Sequence, residues 1–188
     1  MSNVVLVVDM LRGFLEEGYP LYCGDDARAI IPRTRAVIER ERAAGGSAIF
    51  IADNHDPDDL EFKTFPAHCI RGSVESEIVP ELADIVETYM PKRRYSAFFD
   101  TDLDERLKIL EPEKVIIIGV CTDICVMHTA SDARNRDYTV EVPVDCVASF
   151  DETAHNNALE HMKSILGVTL IASQMASESA TPGTGVSG

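Results

Sequence analysis

Three groups of residues in this 188-residue chain have the types and spacing that catalysis or metal binding requires. The first is Asp9, which follows the apolar run Val4-Val5-Leu6-Val7-Val8. At that place an aspartate either caps a following helix or projects into a cleft as a general base. The second is Cys125, within Gly119-Val120-Cys121-Thr122-Asp123-Ile124-Cys125-Val126, where an apolar run passes into a helical pattern. A thiol in the first turn of a helix meets free N–H groups and the positive end of the macrodipole. Both favour thiolate, and the same N–H groups suit an oxyanion. The plain alternative is a small buried core residue, the usual place of a free cysteine. The Cys121-x-x-x-Cys125 spacing resembles half of a zinc site, but no second pair matches it, so zinc on thiolates is not expected.

The third group is Asp53, His55, Glu61 and His68. Asp53 and His55 are two apart at the end of an apolar run, so an extended backbone turns both to one side. His68 follows on a long segment, seven residues after Glu61. Carboxylate plus imidazole suits zinc, manganese or iron, and an acidic surface loop with two incidental histidines has the same spacing. Lys92 opens the run Lys92-Arg93-Arg94-Tyr95-Ser96-Ala97-Phe98; taken alone, such a charge run reads as solvated surface. His128, His155 and His161 read as ordinary helix residues, with His128 alone near the expected cleft.

Short β-branched runs recur at 4–8, 48–52, 114–119, 139–142 and 168–171, with a weaker one at 85–88. Three are apolar on both faces, as strands covered by helices on both sides are. Helical patterns lie between them. Residues 27–44 place Ile30, Ile31, Thr34, Val37 and Ile38 on one side and stop at Gly45-Gly46. Further patterns cover 102–110, 123–136 and 153–166. This alternation predicts an α/β fold: three layers, with a doubly wound, mostly parallel sheet of about six strands between helices. Such sheets bind ligands beyond the carboxyl ends of their strands, which selects Asp9, Asp53 to His55, and Val120 to Cys125. The long loop 53–73 is of the kind that usually serves function. One domain is expected over 1–171, followed by a tail over 172–188 that is rich in Ser, Ala, Gly and Thr.

Composition narrows the partners. The 32 acidic residues against 17 basic give a formal charge of −15, which repels phosphate backbones and anionic membranes. A small neutral substrate barely feels that field. No apolar run approaches the roughly 18 residues of a membrane helix, and Met1-Ser2-Asn3 lacks the basic start of a signal peptide. Five cysteines at irregular spacing form no disulfide framework, so a reducing, cytoplasmic setting is expected. Cys23, Cys69 and Cys146 are read as packing residues.

Taken together, these residues resemble the isochorismatase-like cysteine hydrolases, and within them the nicotinamidase/pyrazinamidase branch. The resemblance runs over roughly residues 3–171. It is carried by Val8-Asp9-Met10-Leu11-Arg12-Gly13-Phe14, Ala52-Asp53-Asn54-His55-Asp56, Phe65-Pro66-Ala67-His68-Cys69, the Lys92 run and the Cys121–Cys125 segment, in family order. It implies a triad of Asp9, Lys92 and Cys125, which moves Lys92 from surface to active site. It implies an oxyanion hole from the N–H groups of Cys121 and Cys125, with a cis peptide at Val120–Cys121. It implies one divalent ion, zinc first with manganese or iron as alternatives, on Asp53, His55, His68 and, as the variable fourth ligand, Glu61. Substrate contacts fall on Phe14, Phe65, Val120 and Tyr95. Departures touch the same pocket: Phe65 stands where many relatives have Trp, Cys121 where Ala is commoner, and Ile124 where some have an aromatic residue or His.

The activity so implied is hydrolysis of nicotinamide, and of pyrazinamide, to the acid and ammonia through a cysteine thioester, a step of pyridine nucleotide salvage. The partners implied are a small amide and further copies of the chain in a homo-oligomer. Two other readings are an amidohydrolase of carbamoyl amines on the same fold, and a catalytically silent metal-binding module.

Overall fold

The structure, a computed structural model, describes residues 2–173. Strand β1 (Val4–Val8) is followed by helices α1 (Arg12–Leu15), α2 (Asp25–Arg28) and α3 (Ile31–Ala43), then strand β2 (Ser47–Asp53). Helix α4 (Pro80–Ala83) leads to β3 (Thr88–Lys92), and α5 (Leu103–Leu110) leads to β4 (Val115–Val120). After β4 come a π-helical turn, Thr122–Val126, and helix α6 (Met127–Arg134). Strands β5 (Val140–Pro143) and β6 (Val147–Ala148), helix α7 (Glu152–Ser164) and strand β7 (Thr169–Ile171) complete the described chain.

The seven strands form one sheet in the order β3-β2-β1-β4-β5-β7, with β6 also beside β4, and every pairing is parallel. Alternate residues of the central strands feed two cores. Val5, Val7, Ile118 and Val120 face the side covered by α1 to α4, while Leu6, Val8 and Ile117 face α5 to α7. Burial on both sides is why these strands read as unbroken apolar runs.

The chain winds outward from β1 through β2 to β3, then returns to place β4 on the other side of β1. The crevice between β1 and β4 is therefore the topological switch point, the place where such sheets bind ligands. Close packing of the two strands there requires a glycine. Gly119 has φ +118°, and a Cβ on it would lie 1.9 Å from the Val8 carbonyl oxygen.

Two expectations are corrected. The weak strand at 85–88 shares only Thr88 with β3. Ile85 and Val86 instead pack on the core as the chain leaves α4. Pro91 and Lys92 argue against a strand in sequence, but β3 is an edge strand, where a missing N–H is tolerated. The helix expected over 27–44 is two helices, with Pro32 in the first turn of α3, where its lost N–H costs nothing. The doubly wound parallel sheet of about six strands is present, with seven strands, of which the two-residue β6 is too short to show a period in sequence. Of the segment 172–188, Ser173 donates its N–H to Asp145 at 2.7 Å, and everything after it lies outside the described residues.

Candidate active site

Four strand ends converge on one cavity. Asp9 follows β1 with φ 52°, a left-handed conformation that aspartate tolerates better than most residues. Its Oδ1 accepts the N–H of Asp53, the last residue of β2, at 2.8 Å. Lys92 ends β3 directly across from Asp53. Cys121 follows β4 through a cis Val120–Cys121 peptide, as the resemblance implies. The N–H groups of Ile124 and Val126 both donate to the Cys121 carbonyl at 3.1 Å, which fixes the turn that carries Cys125.

These elements bring Asp9, Lys92 and Cys125 into contact. The Lys92 Nζ lies 2.8 Å from Asp9 Oδ2 and 3.5 Å from Cys125 Sγ, and it donates to Asp53. Lys92 is only 3% exposed, so the solvated surface that its charge run suggests alone is overturned. Two buried carboxylates compensate its charge, while Arg93 on the outward-facing side of the chain remains exposed. The cavity encloses about 330 Å³ of non-atom space, part of it open to solvent. Asp9 and Cys125 line it, so the sulfur is not sealed away.

The charges tune one another. Burial, helped by the neighbouring charge of Asp53, pushes the Asp9 carboxyl up to about 6. Burial would raise Asp53 as well, but Lys92 and the two imidazoles hold it below the ordinary range. Burial works against the Lys92 ammonium, and Asp53 with Asp9 overcomes it, so Lys92 stays charged. Burial pushes the Cys125 thiol well up, with Lys92 opposing and Asp9 adding to the rise. The helix start favours thiolate, but burial outweighs it, so Cys125 needs a base. At neutral pH the site rests as a thiol beside an ionised carboxylate, ready for proton transfer.

The histidines arrive by backbone pairing. The His55 N–H donates to the Cys69 carbonyl at 3.1 Å and the Arg71 N–H to the His55 carbonyl at 2.8 Å, which folds the long loop back and lays His68 beside His55. Asp53, His55 and His68 each present a ligand atom, all within 4.8 Å of one another. Glu61 Oε1 stands 3.9 Å from His68 Nε2. The His68 Nδ1–H donates to the Pro66 carbonyl at 2.8 Å, which leaves Nε2 as the lone-pair nitrogen. The buried His55 Nε2 and Glu61 Oε2 have no hydrogen-bond partner among the described residues. Around them stand the carboxylates Asp9, Asp53, Asp59 and Glu61 against the cations Lys92 and Arg94. Orphaned buried donors with an excess of two negative charges fit a divalent ion in a mixed nitrogen and oxygen set.

All four expected substrate contacts, Phe14, Phe65, Val120 and Tyr95, line the cavity. Leu21, Ile124 and Phe150 line it too. Leu21 escaped sequence reasoning because it lies in a loop, and Phe150 because it follows β6, a strand too short to read in sequence. Phe62, whose ring packs 5.4 Å from His55, and the pair Asp59 and Arg94 also escaped it. Asp59 sits four residues after His55, but an Asp-rich loop hides which carboxylate matters. The His128 ring is tilted against Tyr95, centroids 5.5 Å apart, outside the cavity lining. Cys69 and Cys146 are core residues, and Cys23 Sγ lies 3.5 Å from Cys121 Sγ.

A family profile described as an isochorismatase domain matches residues 3–174. Among curated proteins, an uncharacterized isochorismatase family protein PncA of Bacillus subtilis is 32% identical, covering 89% of this chain and 97% of its own. A probable inactive nicotinamidase of Arabidopsis thaliana is 31% identical, covering 87% and 89%. Among solved structures, the pyrazinamidase/nicotinamidase of Streptococcus mutans UA159 superimposes with a TM-score of 0.86 at 37% identity, covering 90% of this chain and all of its own. An N-carbamoylsarcosine amidase from Thermoplasma acidophilum gives 0.83 at 31% identity, covering 94% and 99%. A pyrazinamidase of Pyrococcus horikoshii in complex with zinc gives 0.84 at 28% identity, covering 92% and 99%.

Proposed function

The chain belongs to the isochorismatase family, and from that premise we propose that it is a metal-dependent amidohydrolase of the nicotinamidase/pyrazinamidase type. The observation that carries the reading is the convergence, in one aromatic-walled cavity, of Asp9 and Cys125 with Asp53, Glu61 and His68, and the grouping of His55 with Asp53 and His68 beside it.

The substrate is a small aromatic carboxamide, nicotinamide first and pyrazinamide second. Phe14, Phe65 and Tyr95 flank its ring while Val120 and Ile124 close the apolar side. Asp53, His55, His68 and Glu61 would hold the divalent ion, zinc being the first choice. When bound, that ion supplies a Lewis acid that can anchor a ring nitrogen of the substrate. Asp9 takes the Cys125 proton, and Lys92 compensates the charge as the sulfur becomes anionic. The sulfur attacks the amide carbon. The N–H groups of Cys121 and Cys125 receive the negative charge on the oxygen. Asp9 returns its proton to the nitrogen, ammonia departs and a thioester remains. Asp9 then deprotonates a water, which hydrolyses the thioester to the carboxylic acid and frees Cys125. Amide and water thus become acid and ammonia, and the acid returns the ring to pyridine nucleotide salvage.

The neighbouring carbamoyl-sarcosine amidase structure favours a second reading, in which the same triad cleaves a carbamoyl amine. That substrate has no ring nitrogen to anchor, so the His and carboxylate cluster would be without purpose. An ammonia-release assay on nicotinamide, pyrazinamide and N-carbamoylsarcosine separates the readings. Turnover of the aromatic amides, abolished in Cys125→Ala and by chelation, is expected. Turnover of the carbamoyl amine alone would replace the nicotinamidase reading, and no turnover of any would favour a silent binding module.

A further inference from the structure

One nitrogen of His55 is committed within the protein itself. Its Nδ1 lies 3.2 Å from Asp59 Oδ2. Asp59 already accepts from the Glu61 N–H and, on both oxygens, from the Arg94 guanidinium, so toward His55 it is the acceptor. The proton therefore sits on Nδ1, and the Nε2 lone pair faces Asp53. The other oxygen of Asp59 accepts the Glu61 N–H at 2.9 Å and caps the 3-10 turn Leu60–Lys63. One carboxylate thus holds both His55 and the turn that presents Glu61. Arg94 Nη1 stands 2.9 and 3.0 Å from the two Asp59 oxygens and 3.8 Å from Glu61 Oε2. The Asp59 side chain is 5% exposed. A helix cap uses one carboxylate oxygen and works at the surface, so capping explains neither that burial nor the bond to His55.

We propose that Asp59, anchored by Arg94, is a positioning residue that pre-sets His55 and Glu61 for a divalent ion. The proposal rests on the metal reading given above. Asp59 is neither in the cavity lining nor in the Asp53, His55 and His68 group; it acts by fixing the His55 tautomer and the direction of the Glu61 turn. Loss of such an outer partner typically lowers metal affinity ~10–100-fold.

The test uses the full chain stripped of metal, titrated with Co(II) and followed by its visible absorption. Imidazole ¹⁵N shifts at pH 8 report the His55 tautomer, and thermal melts of the ion-free protein report folding. In the wild type, Co(II) binds and His55 carries its proton on Nδ1. In Asp59→Ala, affinity should fall ~10–100-fold with a mixed tautomer and little change in the ion-free melt. In Asp59→Asn, which keeps an acceptor oxygen, the tautomer should persist and the loss should be smaller. Wild-type protein that binds no Co(II) overturns the metal reading itself. Wild-type binding with unchanged affinity in Asp59→Ala, or a lowered ion-free melt with unchanged affinity, overturns the positioning role alone. Asp59→Asn losing as much as Asp59→Ala with its tautomer intact also overturns it, because charge rather than orientation would then be responsible. Should Asp59→Ala not fold, a wild-type His55 protonated on Nε2 overturns it.

Discussion

Lys92 occupies a place few lysines reach, buried between Asp9 and Asp53 with Cys125 in contact. Its burial is possible because two carboxylates outweigh the lost hydration. The same balance makes it irreplaceable: Lys92→Met leaves two buried carboxylates uncompensated and should cost about 3–5 kcal/mol, measured by denaturant unfolding. Cys125→Ala removes the nucleophile without altering that ion pair, so turnover should vanish while the melting temperature stays close to the parent's. The pH dependence follows from Asp9. Burial first, then Asp53, raises its carboxyl from 3.8 to about 6. Above that pH it is ionised and accepts the thiol proton; below it the acceptor is filled. Alkylation of Cys125 by iodoacetamide should therefore slow as pH falls through about 6, and Asp9→Asn should be slow throughout. A pH-independent rate in Asp9→Asn equal to the parent's neutral rate would remove Asp9 as the base.

The strands and the long loop decide where those side chains meet. Asp9 follows β1, β2 and β3 end in Asp53 and Lys92 directly across from each other, and β4 leads directly into the Cys125 turn. The approach of β4 to β1 depends on Gly119, since any Cβ there collides with the rigid Val8 backbone. Gly119→Ala should destabilise by more than the ~0.5–3 kcal/mol of an ordinary substitution, and a melt within a degree or two of the parent would refute the close-approach argument. The loop works differently: it reaches the site through the His55 and Cys69 backbone pairing. His55→Ala should leave the sheet intact yet reduce bound metal, as measured by elemental analysis of the purified protein. The apolar periods of β1, β2 and β4 made these strands legible in sequence. β3 was not legible, because an edge strand carrying Pro91 and Lys92 has no apolar run to detect.

The molecule as a whole carries a formal charge of −15, and no described helix is long and apolar enough to cross a membrane. A neutral amide is not steered by that field, so kcat/KM should change little with ionic strength, whereas an anionic substrate would show a strong dependence. A bound ion stabilises only the folded chain, so saturating metal should raise stability by about 2.7 kcal/mol at a hundredfold excess over Kd, read as a higher Tm that chelation reverses. The alternation of strands and helices apart from β3 and β6, the parallel sheet and the identity of Asp9, Asp53, His55, His68 and Cys125 as chemically suitable groups were readable from the linear chain, because periodicity and strand ends are local properties. Whether Lys92 faced water or carboxylates was not, nor were the partnership of Asp59 with His55 and Arg94, the cavity walls Leu21 and Phe150, or the raised thiol of Cys125. Burial and charge proximity are sums over residues distant in sequence, and they take values only once the sheet has brought those residues together.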